Sequence, residues 1–494
     1  MIQPSRRLAA ALAAALLAAS SLLAQDNASP TPAPAPEGAP ELTLEQAIAR
    51  ALQRNFDLEI GRYAPQIAED SITVAKGGYE PQLSVTASRS GASSDTAGIS
   101  SNGTDLRAGI TQRLYTGTTV SASSQLGRTS TNPALALNPA YDADLTLSVR
   151  QSLLQGAGVA VNRAPIERAE IGFARAKLEY KAQVLDIIQA TENAYYDLVF
   201  ARETLKVRNF SLQLAQRLFD EARTRRDTGV ATDLDVLQAE VGVANARRGV
   251  ILAEQSVKDR QDALLALIGQ FELDAPVGAV AFKDTGGALP VFASSYAMAR
   301  QNQPDFLSAQ AAIDQYKIDL RLAHDAAKPD LSVGAALGLS GTDGSGGDAF
   351  NNALDRDDHS WQVGLALNYP WGRKADKARE RQSLAALSRE QTRLRLIEQN
   401  IEVQVRSAVR SVETNTESVK IAAQASGLSQ KQYELEKAKF DAGLSTSRRV
   451  LEAQDDLETA KVNDLQARVA LSNAVAALHR LEGSSLQRYA IELP

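Results

Sequence analysis

Few side chains in this sequence are placed to make or break bonds. The three histidines, His324, His359 and His479, lie far apart, and no HExxH, GxSxG or GxxxxGK[ST] string accompanies them. Cysteine is absent, which excludes thiolate catalysis, Cys-ligated zinc, disulfides and a lipid anchor on an N-terminal Cys. Asp343, Asp348, Asp355, Asp357 and Asp358 surround a Gly-rich stretch and offer the oxygens that calcium needs. Their spacing lacks the EF-hand order, so a solvated loop is the better account. No catalytic, metal or cofactor site is expected, and the chain reads as a non-enzyme. Lys plus Arg is 53 against 59 Asp plus Glu, and the net charge of -6 speaks against general nucleic-acid binding.

The elements that remain are positional. Arg6 and Arg7 precede an apolar run from Leu8 to Leu23, with small residues up to Ala24, which is the order of a secretory signal cleaved after Ala24. A short membrane anchor is the alternative, but the run falls below the ~20 residues needed to span. Residues 25–41, with Pro30 to Pro40, read as an extended lead. No later run is apolar enough for a spanning helix, so a membrane position would require a closed barrel.

The chain then repeats itself. Asn55-Phe56-Asp57-Leu58 aligns with Gln303-Pro304-Asp305-Phe306, and Glu80-Pro81-Gln82-Leu83 with Lys328-Pro329-Asp330-Leu331, at an offset of 248. Asp227-Thr228-Gly229-Val230 aligns with Asp441-Ala442-Gly443-Leu444 at an offset of 214, so the first copy carries 248 - 214 = 34 extra residues. The expected plan is a first repeat over 42–270, a linker over 271–290, a second repeat over 291–483 and a tail over 484–494. In the first repeat a helix over 43–79, opened by the Thr43/Gln46 capping box, leads to strands within 82–154 and long helices over 163–228 and 231–269. In the second the corresponding spans are 294–327, 330–370, 374–442 and 446–482. The first long helix would extend roughly 100 Å.

Two periodicities bear on the fold class, although a plain helical bundle would show the first and a soluble sandwich the second. In the return helices Ala239, Ala246 and Ala253 alternate with Val243, Val250, Val257 and Leu264, and Ala453, Ala460, Ala467 and Ala474 with Leu457, Leu471 and Leu478, broken at Arg260 and Asp464. That is a heptad seam with close backbone approach. Between the helices the period becomes two: Leu83, Val85 and Ala87; Leu106, Ala108 and Ile110; Val120, Ala122 and Leu126; Leu145, Leu147 and Val149; Leu331 to Leu339; and Trp361 to Tyr369. Long polar connections over 91–103, 130–143 and 341–359 contrast with the tight turn at Thr116-Gly117, and Tyr115, Trp361, Tyr369 and Trp371 lie near segment ends, as an aromatic belt does. A secreted coiled-coil structural or adaptor protein would use the heptads but not the six alternating segments.

In the order of these motifs, twice over, the sequence resembles the TolC-type outer-membrane efflux protein family (outer membrane factor) from Leu42 to Gly483. The resemblance rests on LTLEQAIARAL, the strand starts at Pro81 and Pro329, VRQSLLQGAG, NYPWG, and the pair DTGVATDLDVLQAE and DAGLSTSRRVLEAQ. It implies an α+β membrane protein: a long coiled-coil helical barrel in the periplasm and a transmembrane β-barrel completed by a homotrimer in outer-membrane lipid. The implied partners are a periplasmic adaptor (membrane fusion) protein and an inner-membrane transporter of an efflux pump or type I secretion system. The implied gate and adaptor contact fall on Asp227, Gly229, Val230 and Asp235 in the first turn. In the second they fall on Phe440, Asp441, Gly443, Leu444, Ser445, Arg448, Arg449 and Glu452. Arg449 stands where the family often has an acid, with Arg448 beside it, so a cation-capturing carboxylate ring would be absent or paired with Arg; the alternative is that the two arginines solvate a helix start.

Overall fold

The computed structural model describes residues 41–94, 98–132, 137–269, 277–282, 289–355, 358–369 and 371–492. The signal and the Pro-rich lead, with most of the linker, lie outside them. In chain order the elements are α1 (Leu44–Arg54), α2 (Phe56–Gly61), α3 (Tyr63–Gly77), β1 (Gln82–Ser94), β2 (Ile99–Arg113), β3 (Thr118–Asn132), β4 (Ala140–Ser152), α4 (Val159–Asn162), α5 (Ala164–Asp227) and α6 (Asp233–Leu267). The second copy follows with α7 (Phe292–Asn302), α8 (Pro304–Ala326), β5 (Asp330–Asp343), α9 (Gly346–Leu354), β6 (Asp358–Asn368), α10 (Lys374–Asp441), α11 (Ser447–Glu482) and α12 (Ser485–Arg488). With 64 and 68 residues, α5 and α10 extend roughly 100 Å. Among the described residues no helix is long and apolar enough to cross a membrane.

The helix expected over 43–79 is three helices. At Asn55 the side-chain Oδ1 accepts from the amides of Asp57 and Leu58 at 2.9 and 3.2 Å, while its Nδ2 donates to the Leu267 carbonyl at 2.9 Å. A side chain that offers the backbone another partner ends one helix and caps the next. The second break, at Arg62, precedes Pro65, which has no N–H to give the Gly61 carbonyl. The helix expected over 294–327 starts at Phe292 and breaks at Gln303, whose φ of -69° and ψ of 121° are the extended values favoured before proline. Asn55 and Gln303 are equivalent under the 248-residue offset, so both copies bend at one place.

Each copy packs its bent entry against its own helix pair. In the first, Leu44, Ala47, Ile48, Ala51 and Leu58 meet Val184, Leu185, Ile188 and Leu198 of α5, and Leu264, Leu265 and Ile268 at the end of α6. Tyr195 and Tyr196 lie within this core, edge to face at 5.7 Å. In the second, Ala299 and Phe306 meet Ile401, Val405, Val409 and Val412 of α10, and Ala474 and Leu478 of α11. The tail is not a bare extension: Leu486 of α12 joins the first core, and Tyr489 donates from Oη to Glu192 of α5. Of the two residues that interrupt the heptad seam, Arg260 reaches Asp197 at 3.1 Å and Asp464 pairs with Arg468 at 3.2 Å.

The six strands form one antiparallel sheet in the order β1-β2-β3-β4-β5-β6. The register places Leu83, Ile110, Ala122, Leu147, Leu337 and Trp361 in one row, and Val85, Ala108, Ser124, Leu145 and Leu339 in the next. The other face carries Ser84, Thr86, Gly109, Thr111, Ser121, Ser123, Thr146, Ser148 and Gln362. Arg107 and Arg113 fall on that polar face. Within the connections expected over 91–103 and 130–143, residues 91–94, 99–103, 130–132 and 140–143 are strand, because Ser, Thr and Asn pair their backbones as well as apolar residues do. The connection over 341–359 contains α9.

The return helices α6 and α11 end on equivalent glycines, Gly269 with φ 70° and Gly483 with φ 68°. A Cβ on Gly269 would overlap the carbonyl oxygen of Arg54, and one on Gly483 would come 2.9 Å from the Cβ of Asn302. Each glycine is thus both left-handed and wedged against the bend of its own copy. Gly269→Ala and Gly483→Ala are expected to cost about 1–3 kcal/mol each, with the larger loss at 269, where rigid backbone is met. Thermal unfolding of the detergent-solubilised protein checks this; unchanged midpoints would show that the joint has slack.

Candidate functional site

The two helix hairpins, α5/α6 and α10/α11, end in turns built alike. Gly229 has φ 77° and Gly443 φ 76°. The Val230 amide donates to the Arg225 carbonyl and the Leu444 amide to the Lys439 carbonyl, each at 2.8 Å. Gly229 and Gly443 donate to the Arg226 and Phe440 carbonyls at 2.9 and 3.0 Å. This is the Schellman closure, in which a left-handed residue lets the last carbonyls of a helix find donors.

The starts of the return helices differ. In the first, the Asp235 amide donates to Thr232 Oγ1 at 3.3 Å, and the Asp235 carboxylate accepts from the Thr232 amide at 2.9 Å and its hydroxyl at 2.7 Å. In the second, Thr446 makes no side-chain cap. Under the 214-residue offset Asp235 corresponds to Arg449, which has no acceptor to give back. The sequence departure at Arg449 is therefore also the loss of a capping box.

Links between the hairpins hold the uncapped one. Ser447 Oγ stands 3.5 Å from Asp235 Oδ1. Arg225 donates from Nη1 to the Phe440 carbonyl at 3.1 Å, and its guanidinium lies 4.1 Å from the Phe440 ring centroid. Lys437 sits 3.3 Å from Glu221, and buried Gln454 donates to the Ser211 carbonyl at 2.8 Å. Arg208 pairs with Glu458, and Ser445 donates to Glu436 within its own hairpin. Beneath them Leu218, Tyr433, Phe440, Val450, Ala453 and Leu457 form a small apolar core. The hydrogen bonds from Thr232 hold the Asp235 carboxyl below the usual carboxylate range, and the bond from Ser445 does the same for Glu436. Burial lowers Lys437 most, but the charge and hydrogen bond of Glu221, together with the charges of Asp441 and Tyr433, raise the ammonium on balance.

Of the sequence-predicted turn residues, Phe440 is buried, while Val230 and Leu444 are 78% and 80% exposed, so the apolar tips point away from the protomer. Asp227 and Asp441 are exposed. Glu452 does not stand free: Arg448 Nε meets it at 2.8 Å. The bracing residues Arg225, Glu221, Glu436, Lys437, Gln454 and Ser211 were missed, since their partners lie mostly more than 200 positions away. The proposed aromatic belt divides. Tyr115 packs on Tyr79 at the β2–β3 turn with centroids 4.4 Å apart, and Trp371, just past β6, is 97% exposed. Tyr369 carries Arg373 at 5.8 Å, whereas Trp361 stands inside β6 opposite Leu337. The acidic stretch is used internally: Ser345 donates to Asp348 at 2.6 Å, and Asp343 accepts from Asn352 at 3.1 Å. Among the described residues no group of His, Asp and Glu could hold a metal. Asp357 lies outside them.

Asp235→Ala removes the reciprocal cap and is expected to loosen the start of α6 by about 1 kcal/mol, read as faster amide exchange over 233–236. Because the folded pKa of Asp235 is depressed, its contribution is complete above the unfolded value near ~3.9 and is lost as pH falls through the lower folded value. Exchange that accelerates already between pH 6 and 5 would contradict this.

The comparisons with known proteins agree with this architecture. The model of the outer membrane efflux protein family matches residues 120–270 and 295–484. The pyoverdine export outer membrane protein OpmQ of Pseudomonas aeruginosa is 25% identical over 311 residues, 61% of this chain and 62% of that protein. The outer membrane efflux protein BepC of Brucella suis is 25% identical over 284 residues, 56% of this chain and 58% of its own. The chain thus covers less than two thirds of each of these two relatives. Among solved structures, the outer-membrane channel OprN superposes with a TM-score of 0.68 at 17% identity, over 90% of both chains. The Campylobacter jejuni CmeC outer membrane channel does so with 0.68 at 16% identity, over 91% of this chain and 90% of its own. By its family match over both repeats, the chain belongs to the outer membrane efflux proteins.

Proposed function

We propose that three copies of this chain form the outer-membrane duct of an export system. The observation that carries the reading is the sheet: six strands with one apolar face, both edges at β1 and β6 unpaired among the described residues, and helices of ~100 Å leading away. Open edges are untenable in hydrocarbon, and three copies side by side would close a barrel of 18 strands. Apolar stripes on the helices support the same assembly. Ile421, Leu428 and Leu435 recur every seven residues on α10 and are 59% to 66% exposed, and Leu234, Leu237 and Val241, three and four residues apart on α6, are 52% to 61% exposed. A neighbouring copy is the natural cover for such seams.

The duct is passive, and energy comes from partners. The exposed turns around Gly229 and Gly443, far from the sheet, are the surfaces on which a periplasmic adaptor protein docks and through which an inner-membrane transporter delivers substrate. Residues 441–452 form part of the constriction at that end. A soluble coiled-coil protein would have no use for a six-stranded sheet with an exposed apolar face.

Native mass spectrometry in mild detergent is expected to give a trimer, and Leu428→Asp to reduce its yield. A monodisperse wild-type monomer with full helix content would defeat the proposal. Reversing the charge of Arg448 and Arg449 to Glu should alter single-channel conductance or cation block while leaving trimer yield unchanged. Identical electrical behaviour would move the constriction elsewhere.

A further inference from the structure

The apolar face of the sheet has a defined upper limit. On β5 it runs from Leu331 through Val333, Ala335 and Leu337 to Leu339, which at ~3.3 Å per residue and a tilt of ~40° is a band about 20 Å tall. Its last row toward the β1–β2 and β3–β4 connections is Ala87, Leu106, Leu126 and Ala143. The next row on the same face is Arg89, Thr104, Arg128 and Tyr141. Two arginines thus stand two strands apart, about 10 Å between backbones, with a threonine hydroxyl between them.

These arginines are not absorbed by the protein. Arg128 gives its Nε to Tyr141 Oη at 3.1 Å, with its guanidinium 5.9 Å from the ring centroid, which leaves both terminal nitrogens without a partner among the described residues. Arg89 is exposed and has no ion pair among them. The carboxylates nearby are committed elsewhere. Asp343, at the end of the row, accepts from the Gly344 amide and from Asn352, and Asp105 accepts from Gln125 on the opposite face. Beside the row, α9 lies on the same face, with Ala349 and Ala353 buried against Ala143, and Phe350 and Leu354 exposed.

We propose that Arg89, Thr104 and Arg128 hold a phosphate-bearing headgroup of an outer-leaflet lipid, whose acyl chains lie along the apolar rows below and against Phe350 and Leu354. The inference rests on the sheet being part of a barrel wall in the outer membrane. Two cations at headgroup depth, with apolar surface on one side only, match a phosphate joined to hydrocarbon and do not match a free anion.

The test uses wild-type trimer stripped of co-purified lipid and titrated in detergent with diphosphorylated lipid A, read by native mass spectrometry. R89Q/R128Q is expected to weaken lipid A binding about thirtyfold, with phosphatidylcholine binding unchanged. R107Q, on the opposite face, should bind lipid A as wild type does. Equal lipid A affinity in R89Q/R128Q and wild type would overturn the proposal, as would inorganic phosphate binding as tightly as lipid A. If the double variant does not assemble, R89Q and R128Q singly carry the same readout. A wild-type chain that gives no trimer fails the barrel reading and this proposal with it, and is recognised before lipid is added.

Discussion

Backbone amides at a strand edge have no substitute partner in hydrocarbon. That constraint governs this molecule, because among the described residues β1 and β6 each leave one side of their ladder open. Closure by identical copies, as proposed, would satisfy both edges at once and make the number of strands per chain decide the width of the mouth. Everything attached to the sheet would inherit the result, since α5 and α10 follow β4 and β6 within about a dozen residues. The apolar seams on the helices would then need only be consistent with a spacing the strands already impose.

The internal duplication gives the chain two near-equivalent halves whose differences are informative. Both bend at Asn55 and Gln303, both wedge a left-handed glycine against that bend, and both close their distal turns by the same hydrogen bonds. They part at the return helix, where Thr232 and Asp235 cap each other and Thr446 and Arg449 do not. The uncapped start is instead tied to its neighbour through Ser447, Arg225 and Gln454. A local bond in one half has become a contact between halves, so the two turns cannot be displaced independently.

Much of this was legible in the sequence because it is periodic or repeated. Heptad seams marked the return helices, alternation marked the apolar cores of the strands, and a shared offset marked the turns. What escaped had no one-dimensional signal. Residues 91–94, 99–103 and 130–132 carry no apolar alternation, yet their Ser, Thr, Asn and Gly backbones continue the ladder beyond the apolar rows. Asn55 broke a helix through its side-chain amide, which an apolar-face pattern does not register. Nor did the bracing at the turns show, for Arg225 meets Phe440 215 positions away and Gln454 meets Ser211 243 away.

The wedged glycines have a mechanical consequence. The core that surrounds Gly269 ends on α5 near Val199, and from there to Asp227 the helix runs 28 residues, about 42 Å at 1.5 Å per residue. With the bends clamped at Gly269 and Gly483, that length is a lever arm. One degree of tilt where the arm leaves the core moves the turn by roughly 0.7 Å. A few degrees therefore exceed the distance over which Asp235 and Ser447 stay in contact, and the paired turns are geared to amplify motions too small to disturb the core that anchors them.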